Sequence, residues 1–166
     1  VPRSKSIQTT PAHQLALAAV YYSPLQYMYW YDKPSDSQDE PELKFFDDVY
    51  TTWDDTKVLQ GEVGEFITIA RRKGEEWFIG SITNNEKRVL SVSLDFLPEG
   101  KNYIAEIYTD GDKSVKTRTK VRVSTYRVSN KTKLNFCLKA SGGGAVRLVP
   151  DDGNIKSVKN YKQQRL

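Results

Sequence analysis

The sequence predicts a mainly β protein: an antiparallel two-sheet β-sandwich of about eight strands, preceded by one or two N-terminal helices. Two observations predict the sandwich. Apolar and polar side chains alternate through much of residues 46–150, which is the spacing of strands with one buried face. Turn residues such as Gly, Pro, Asn and Asp separate these stretches at short intervals, with no helical pattern between them. A third observation, an uncharged apolar run before residue 32, predicts the helices.

The first helix is expected from Pro11 to about residue 22. Thr10 can cap it, since its hydroxyl can accept from a free N–H group, and proline is favoured at the first helical position. Ser23 and Pro24 repeat the cap signal, so we expect a second short helix over residues 24–31.

Residues 15–22 are apolar on every side of the predicted helix, and such a helix is normally buried inside a larger structure. We therefore expect a missing partner, and self-association if that partner is absent. The candidate interface residues are Leu17, Val20, Tyr21, Tyr22, Met28 and Trp30. The same aromatic residues suit sugar stacking, which stays open as an alternative.

The chain divides into four predicted regions: a helical segment (1–32), an acidic surface linker (33–45), the β-sandwich (46–150) and a polar, frayed tail (151–166). Because the strands supply their own core, the sandwich is expected to fold without the helical segment. The strands are predicted near residues 49–52, 56–62, 65–72, 77–83, 89–96, 103–108, 120–123, 133–139 and 145–149.

Charge is distributed unevenly: residues 1–100 hold 10 basic and 16 acidic side chains, and residues 101–166 hold 15 and 5. The basic side chains of the second half fall at outward strand positions, which favours a solvated face over nucleic-acid binding. These positions are Arg118, Lys120, Arg122, Lys133 and Lys139. One Cys and one His exclude a zinc site of the usual ligands and an internal disulfide framework. The uncharged N-terminal run contains polar residues and is too short to predict a membrane span.

No catalytic, cofactor or metal site is predicted in this chain. The carboxyl pairs that could serve glycoside hydrolysis are sequence neighbours, and neighbouring strand residues point to opposite faces. These pairs are Asp47/Asp48, Asp54/Asp55 and Glu75/Glu76. His13 is expected to cap or pack, residues 142–144 to form a turn rather than a phosphate loop, and residues 110–112 to form a tight turn rather than a calcium loop.

Six stretches, taken in order and spacing, resemble the C-terminal part of glycoside hydrolase family 97, the bacterial α-glucosidases and α-galactosidases. They are TTPAHQLAL (9–17), YYSPLQ (21–26), TTWDDTKVLQGEVGEF (51–66), IARRKGEEWFIG (69–80), LDFLPEGK (94–101) and ASGGGAVRL (140–148). The resemblance implies that residues 9–31 are the last helical elements of a (β/α)8 barrel and that a β-sandwich oligomerisation domain follows.

In that family the catalytic glutamates and the calcium ligands lie in the barrel, so the resemblance implies no catalytic or metal role for any residue here. It implies a non-catalytic structural and oligomerisation domain of a periplasmic enzyme, whose partner is the barrel or a second copy. A stand-alone carbohydrate-binding module is the alternative, and an upstream barrel in the same gene would distinguish the two.

Overall fold

The structure is a computed structural model that describes residues 8–26, 30, 40–155 and 157–162. Its helices are α1 (Pro11–Val20), a 3-10 helix (Pro41–Leu43) and α2 (Lys44–Asp48). Its strands are β1 (Asp55–Glu62), β2 (Phe66–Lys73), β3 (Glu76–Thr83), β4 (Arg88–Ser93), β5 (Asn102–Asp110), β6 (Val121–Ser129), β7 (Lys133–Leu138) and β8 (Gly143–Pro150).

The strands form two antiparallel sheets that pack face to face. The large sheet has the order β1-β2-β3-β8-β5-β6, and the small sheet pairs β4 with β7. Between them lies a core that includes Trp77, Ile79, Leu90, Phe136 and Leu148. The predicted sandwich of about eight strands is confirmed.

The other face of the large sheet is covered by helices, so the domain has three layers. Phe78 of β3 and Tyr108 of β5 lie on this face, and both rings pack edge-on against Phe45 of α2, with centroids 5.9 and 5.3 Å apart. The alanines of α1 and Leu15 complete this second core. Because both faces of the central strands are buried, β3 is apolar on successive residues instead of alternating.

Helix α1 begins as the sequence predicts. Thr10 is its N-cap, the threonine hydroxyl accepts from the His13 N–H at 3.2 Å, and Pro11 follows. The predicted second helix is not formed at residues 24–26 or at Trp30, and the remainder of that prediction lies outside the described residues.

Two glycines let α1 lie directly on the sheet. A Cβ at Gly80 would stand 2.4 Å from the Ala16 carbonyl oxygen, and one at Gly143 would stand 2.6 Å from the His13 Cα. Both distances are below any normal contact, so larger residues would force the helix away from β3 and β8. Small residues on the helix and on the sheet together make the close approach possible.

Arg71 of β2 holds the C-terminal end of α1. Its guanidinium donates to the carbonyl oxygens of Ala19 and Val20 and, at 2.8 Å, to the Thr56 hydroxyl. The side chain is buried, and the free carbonyls of a helix C-terminus favour a positive charge. A residue that resembles a surface charge in the sequence therefore fixes the helix to the sheet.

This arrangement corrects the expectation that a missing partner is needed to bury most of α1. Ala12, Leu15, Ala16, Ala18 and Ala19 are all buried within the domain. The sheet covers one side of the helix and α2 contributes Phe45 to the same core. The packing also argues against the expectation that the sandwich folds without the helical segment. Removing α1 would expose Phe78 and the Arg71 guanidinium to solvent.

The end of the predicted acidic linker is also structured. Residues 33–39 lie outside the described residues, but Glu42 is fully buried and accepts a hydrogen bond from the Thr119 hydroxyl. Residues 41–48 form the 3-10 helix and α2, and the strand predicted at residues 49–52 is absent.

The prediction of a frayed tail is wrong for part of the tail, and one basic residue lies on a different face of its sheet than expected. Residues 157–162 are not all frayed: the Arg127 N–H donates to the Lys159 oxygen and the Tyr161 N–H to the Arg127 oxygen, each at 2.9 Å. Arg122 is exposed, as predicted, but it does not lie on the outer face of the large sheet. Its neighbours Val121 and Val123 pack in the helical layer, so alternation turns Arg122 towards the space between the sheets.

We expect Arg71→Met to lower the free energy of unfolding by about 2–4 kcal/mol, because the carbonyls of Ala19 and Val20 would be left buried without a donor. Denaturant unfolding followed by circular dichroism measures this loss. Arg72→Met is the matched control: this next residue is partly exposed, pairs with Asp54 at 4.0 Å, and should cost less than about 1 kcal/mol. Equal losses in the two variants would contradict the role given to Arg71.

Candidate interaction surface

The predicted interface residues separate into buried and exposed groups. Val20 is buried, Leu17 and Trp30 are half-buried, and Met28 lies outside the described residues. Tyr21 and Tyr22 are 56% and 74% exposed. The exposed group therefore lies just beyond the C-terminal end of α1.

Leu25 belongs to the same exposed group and is 82% exposed. We call Tyr21, Tyr22 and Leu25 the α1 patch. Exposed apolar side chains are common individually, but three within five residues form a local surface suited to a partner.

The α1 patch is held in place by polar contacts beneath it. The Arg71 guanidinium lies 5.1 Å from the centre of the Tyr22 ring, within cation–π range. The Gln26 amide lies within hydrogen-bond distance of the carbonyls of Ala18, Tyr21 and Ser23, at 3.0–3.3 Å. The surface is therefore ordered before any partner binds.

A small hollow of about 170 Å³ adjoins the patch, lined by Tyr22, Ser23, Pro24 and residues 51–53. Trp53 in its wall packs against Phe78, with ring centroids 5.5 Å apart. The buried Trp53 indole N–H has no hydrogen-bond acceptor among the residues that the structure describes. The hollow joins the α1 patch to the segment that follows α2.

The structure does bring carboxylates together, but not as the neighbouring pairs considered from the sequence. Asp48, Glu76 and Glu106 surround Arg147, with nitrogen–oxygen distances of 2.8, 2.9 and 3.6 Å. Lys44 also pairs with Asp48 and Glu106. Burial opposes the charge on Arg147, yet its bonds to Glu76 and the neighbouring carboxylates raise its pKa.

This network ties α2 to the outer face of the large sheet. Glu106 and Arg147 are direct partners in the β5–β8 register, which sequence reasoning could not find without the strand order. Burial also raises the pKa of the neighbouring Tyr108. The acidic groups are committed to ion pairs, which gives the cluster a structural role.

The other carboxyl pairs are separated by their partners. Asp54 binds Lys73 at 3.1 Å and the Gly74 N–H at 2.8 Å, whereas Asp55 pairs with Lys57. Within residues 8–26, 30, 40–155 and 157–162 no group of three or more His, Cys, Asp and Glu side chains is arranged to hold a metal ion. In the same ranges, no helix has the length and apolar character that crossing a membrane requires.

His13 has the packing role that the sequence predicts, but the turn predicted at residues 142–144 is wrong in part, because Gly143 and Gly144 already belong to strand β8. The His13 Nδ1 donates to the Gly142 oxygen at 3.1 Å, and burial lowers the pKa of His13. The Asp110 carboxylate accepts from the backbone N–H groups of Lys139 and Gly143, so it closes this turn rather than a calcium loop.

The chain is similar to proteins of one glycoside hydrolase family. The family model described as glycosyl-hydrolase 97 C-terminal, oligomerisation, matches residues 52–149. A retaining alpha-galactosidase of Bacteroides thetaiotaomicron is 34% identical over 142 residues, which are 85% of this chain and 21% of that protein.

Solved structures agree with this assignment. A glycoside hydrolase family 97 enzyme from Pseudoalteromonas sp. strain K8, in complex with acarbose, is 37% identical over 86% of this chain and 23% of its own, with a TM-score of 0.77. A beta-arabinopyranosidase shares the fold at 24% identity and a TM-score of 0.67. The chain thus spans between a fifth and a quarter of the length of these relatives. Because the family model covers more than half of its residues, the chain belongs to the C-terminal, oligomerisation family of glycosyl hydrolase 97.

Proposed function

We propose that this chain is the non-catalytic C-terminal domain of a periplasmic glycoside hydrolase that acts on α-glucosides or α-galactosides. Its role is to pack against the catalytic domain and to support assembly of the enzyme. The family description supports the association role, and the named activity of the Bacteroides relative supports an α-galactoside substrate. Catalytic carboxylates and calcium ligands belong, in this proposal, to the barrel.

The α1 patch is the observation that carries the proposal. Its three side chains lie just beyond the C-terminal end of α1, the helix that resembles the end of a barrel, and they are exposed, whereas most apolar side chains of the helix are buried within the domain. Covering a Leu or Tyr side chain is worth roughly 1.5–3 kcal/mol, so the patch favours a partner. The ordered turn beneath it reduces the entropy that binding would cost.

The test must use exposed residues. Leu17 and Val20 are poor choices for substitution, because Leu17 is half-buried and Val20 is buried within the domain. A charged side chain at Val20 would destabilise the helical layer. Tyr21 and Leu25 are exposed, and their side chains can be changed without disturbing the core.

We expect the chain to self-associate at high micromolar concentration, because the α1 patch of one copy can cover that of another. The double variant Tyr21→Ser/Leu25→Ser should be a monomer with little change in melting temperature, since both side chains are exposed. Sedimentation velocity over a concentration series distinguishes the two.

The matched control is Val58→Ser/Val63→Ser, which removes two apolar side chains, 66% and 99% exposed, on β1 and in the turn that follows it. It should associate as the unmodified chain does. An unmodified chain that stays monomeric, or a control that alone becomes monomeric, would contradict an association role for the α1 patch.

We expect the chain alone to hydrolyse neither nitrophenyl α-glucoside nor nitrophenyl α-galactoside, with or without calcium. Glycoside hydrolysis needs two carboxyls facing each other across a sugar pocket, roughly 5–9.5 Å apart. The carboxylates that converge here, Asp48, Glu76 and Glu106, all surround one guanidinium. Turnover that disappears on Glu76→Gln or Glu106→Gln would overturn the non-catalytic assignment.

A further inference from the structure

A second concave surface lies on the opposite side of the large sheet from α1, between the two sheets. It is a cleft of about 700 Å³ at the β6 edge, where the small sheet ends. One wall is the inner face of β5 and β6, the second is β7, and the third is residues 158–162. Its size is that of a ligand site rather than a packing defect.

The side chains of β6 suit a solvent-filled cleft and not a dry core. The two-stranded small sheet cannot cover the whole six-stranded large sheet, so part of the large sheet's inner face remains open. At the inward positions of β6 stand Arg122, Ser124 and Tyr126, with only the buried Val128 apolar. Polar side chains at core-facing positions are costly unless water or a ligand reaches them.

The C-terminal segment forms a defined wall. Asn160 bridges to Arg127 in parallel register, and the Tyr161 hydroxyl accepts from the Asn135 N–H at 3.0 Å. The rings of Tyr126 and Tyr161 meet edge to face, with centroids 5.4 Å apart. This wall lies beyond the residues matched by the family model, which end at residue 149, whereas the walls formed by β5, β6 and β7 lie within them.

The charge of the lining has one sign. Of the fourteen lining residues four are Arg or Lys and none is Asp or Glu. Arg122 pairs at 3.0 Å with Asp112, and Arg127 with Asp151, from outside the lining. Lys159 and Lys162 are exposed and are the cations best placed to meet a ligand.

We propose that this cleft binds an acidic oligosaccharide, a chain of sugars that carry carboxylate groups. The lysines form ion pairs with the carboxylates, and the hydroxyl and amide side chains form hydrogen bonds with the sugar hydroxyls. The tyrosines provide an amphipathic surface for the carbon atoms of the sugar rings. Nucleic acid fits less well, because the two tyrosines pack against each other instead of presenting successive faces for bases. The proposal does not depend on the function proposed above.

The test is a titration of the whole chain at low ionic strength, followed by amide chemical shifts and calorimetry. We expect trigalacturonate to bind, with shifts at Ser124, Asn160 and Tyr161, and maltotriose of equal length to bind at least tenfold more weakly. The double variant Lys159→Gln/Lys162→Gln should lower the affinity for trigalacturonate about tenfold, which is the expected loss for two exposed ion pairs. Added salt should lower this affinity as well.

Lys87→Gln/Lys131→Gln is the matched control, since both lysines are exposed and neither lines the cleft. It should bind as the unmodified chain does, and both double variants should keep the melting temperature. Absent binding, equal binding of maltotriose, shifts outside the cleft, or tighter binding of a short single-stranded oligonucleotide would each overturn the proposal.

Discussion

The close packing of α1 against the large sheet is the constraint on which the rest of the structure depends. Gly80 and Gly143 leave no room for a Cβ beneath the helix, and Arg71 satisfies the carbonyls at its C-terminal end. With the helix in place, Phe78 and the other outward residues of the central strands are buried, and the domain gains a second core. A protein of this size that buries both faces of its main sheet has more apolar contact than a two-layer sandwich alone.

The packing of α1 also determines which surface of the domain is available to bind a partner. Because most of α1 is covered, the exposed apolar side chains at this end of the domain are those of the α1 patch, which Arg71 and Gln26 hold in place. The Arg147 network fixes α2 beside it on the outer face. The acidic-oligosaccharide cleft lies on the inner face, so association and ligand binding would use separate surfaces of the large sheet.

Sequence patterns over a few neighbouring residues predicted most strands and the start of α1. Alternation located most strands, and Thr10–Pro11 located the start of α1. The features that depend on the strand order could not be read in this way: alternation on β6 shows that Val121 and Arg122 face opposite sides, but not which side is the helical layer. Arg71 has the appearance of a surface charge, and α2 is too short to show a helical period. The α1 patch was predicted only in part, since Leu17 and Val20 are largely covered.

Native-state hydrogen exchange of the whole chain tests the central claim most directly, because it gives the opening free energy of α1 and of the sheet in one experiment. If α1 is an integral layer, the slowest amides of residues 15–20 should exchange with the same opening free energy as those of β3 and β8. They should also show the same dependence on denaturant. Exchange of α1 at an opening free energy far below that of β3, while the sheet remains protected, would contradict the account and restore the helix as an appendage awaiting a partner.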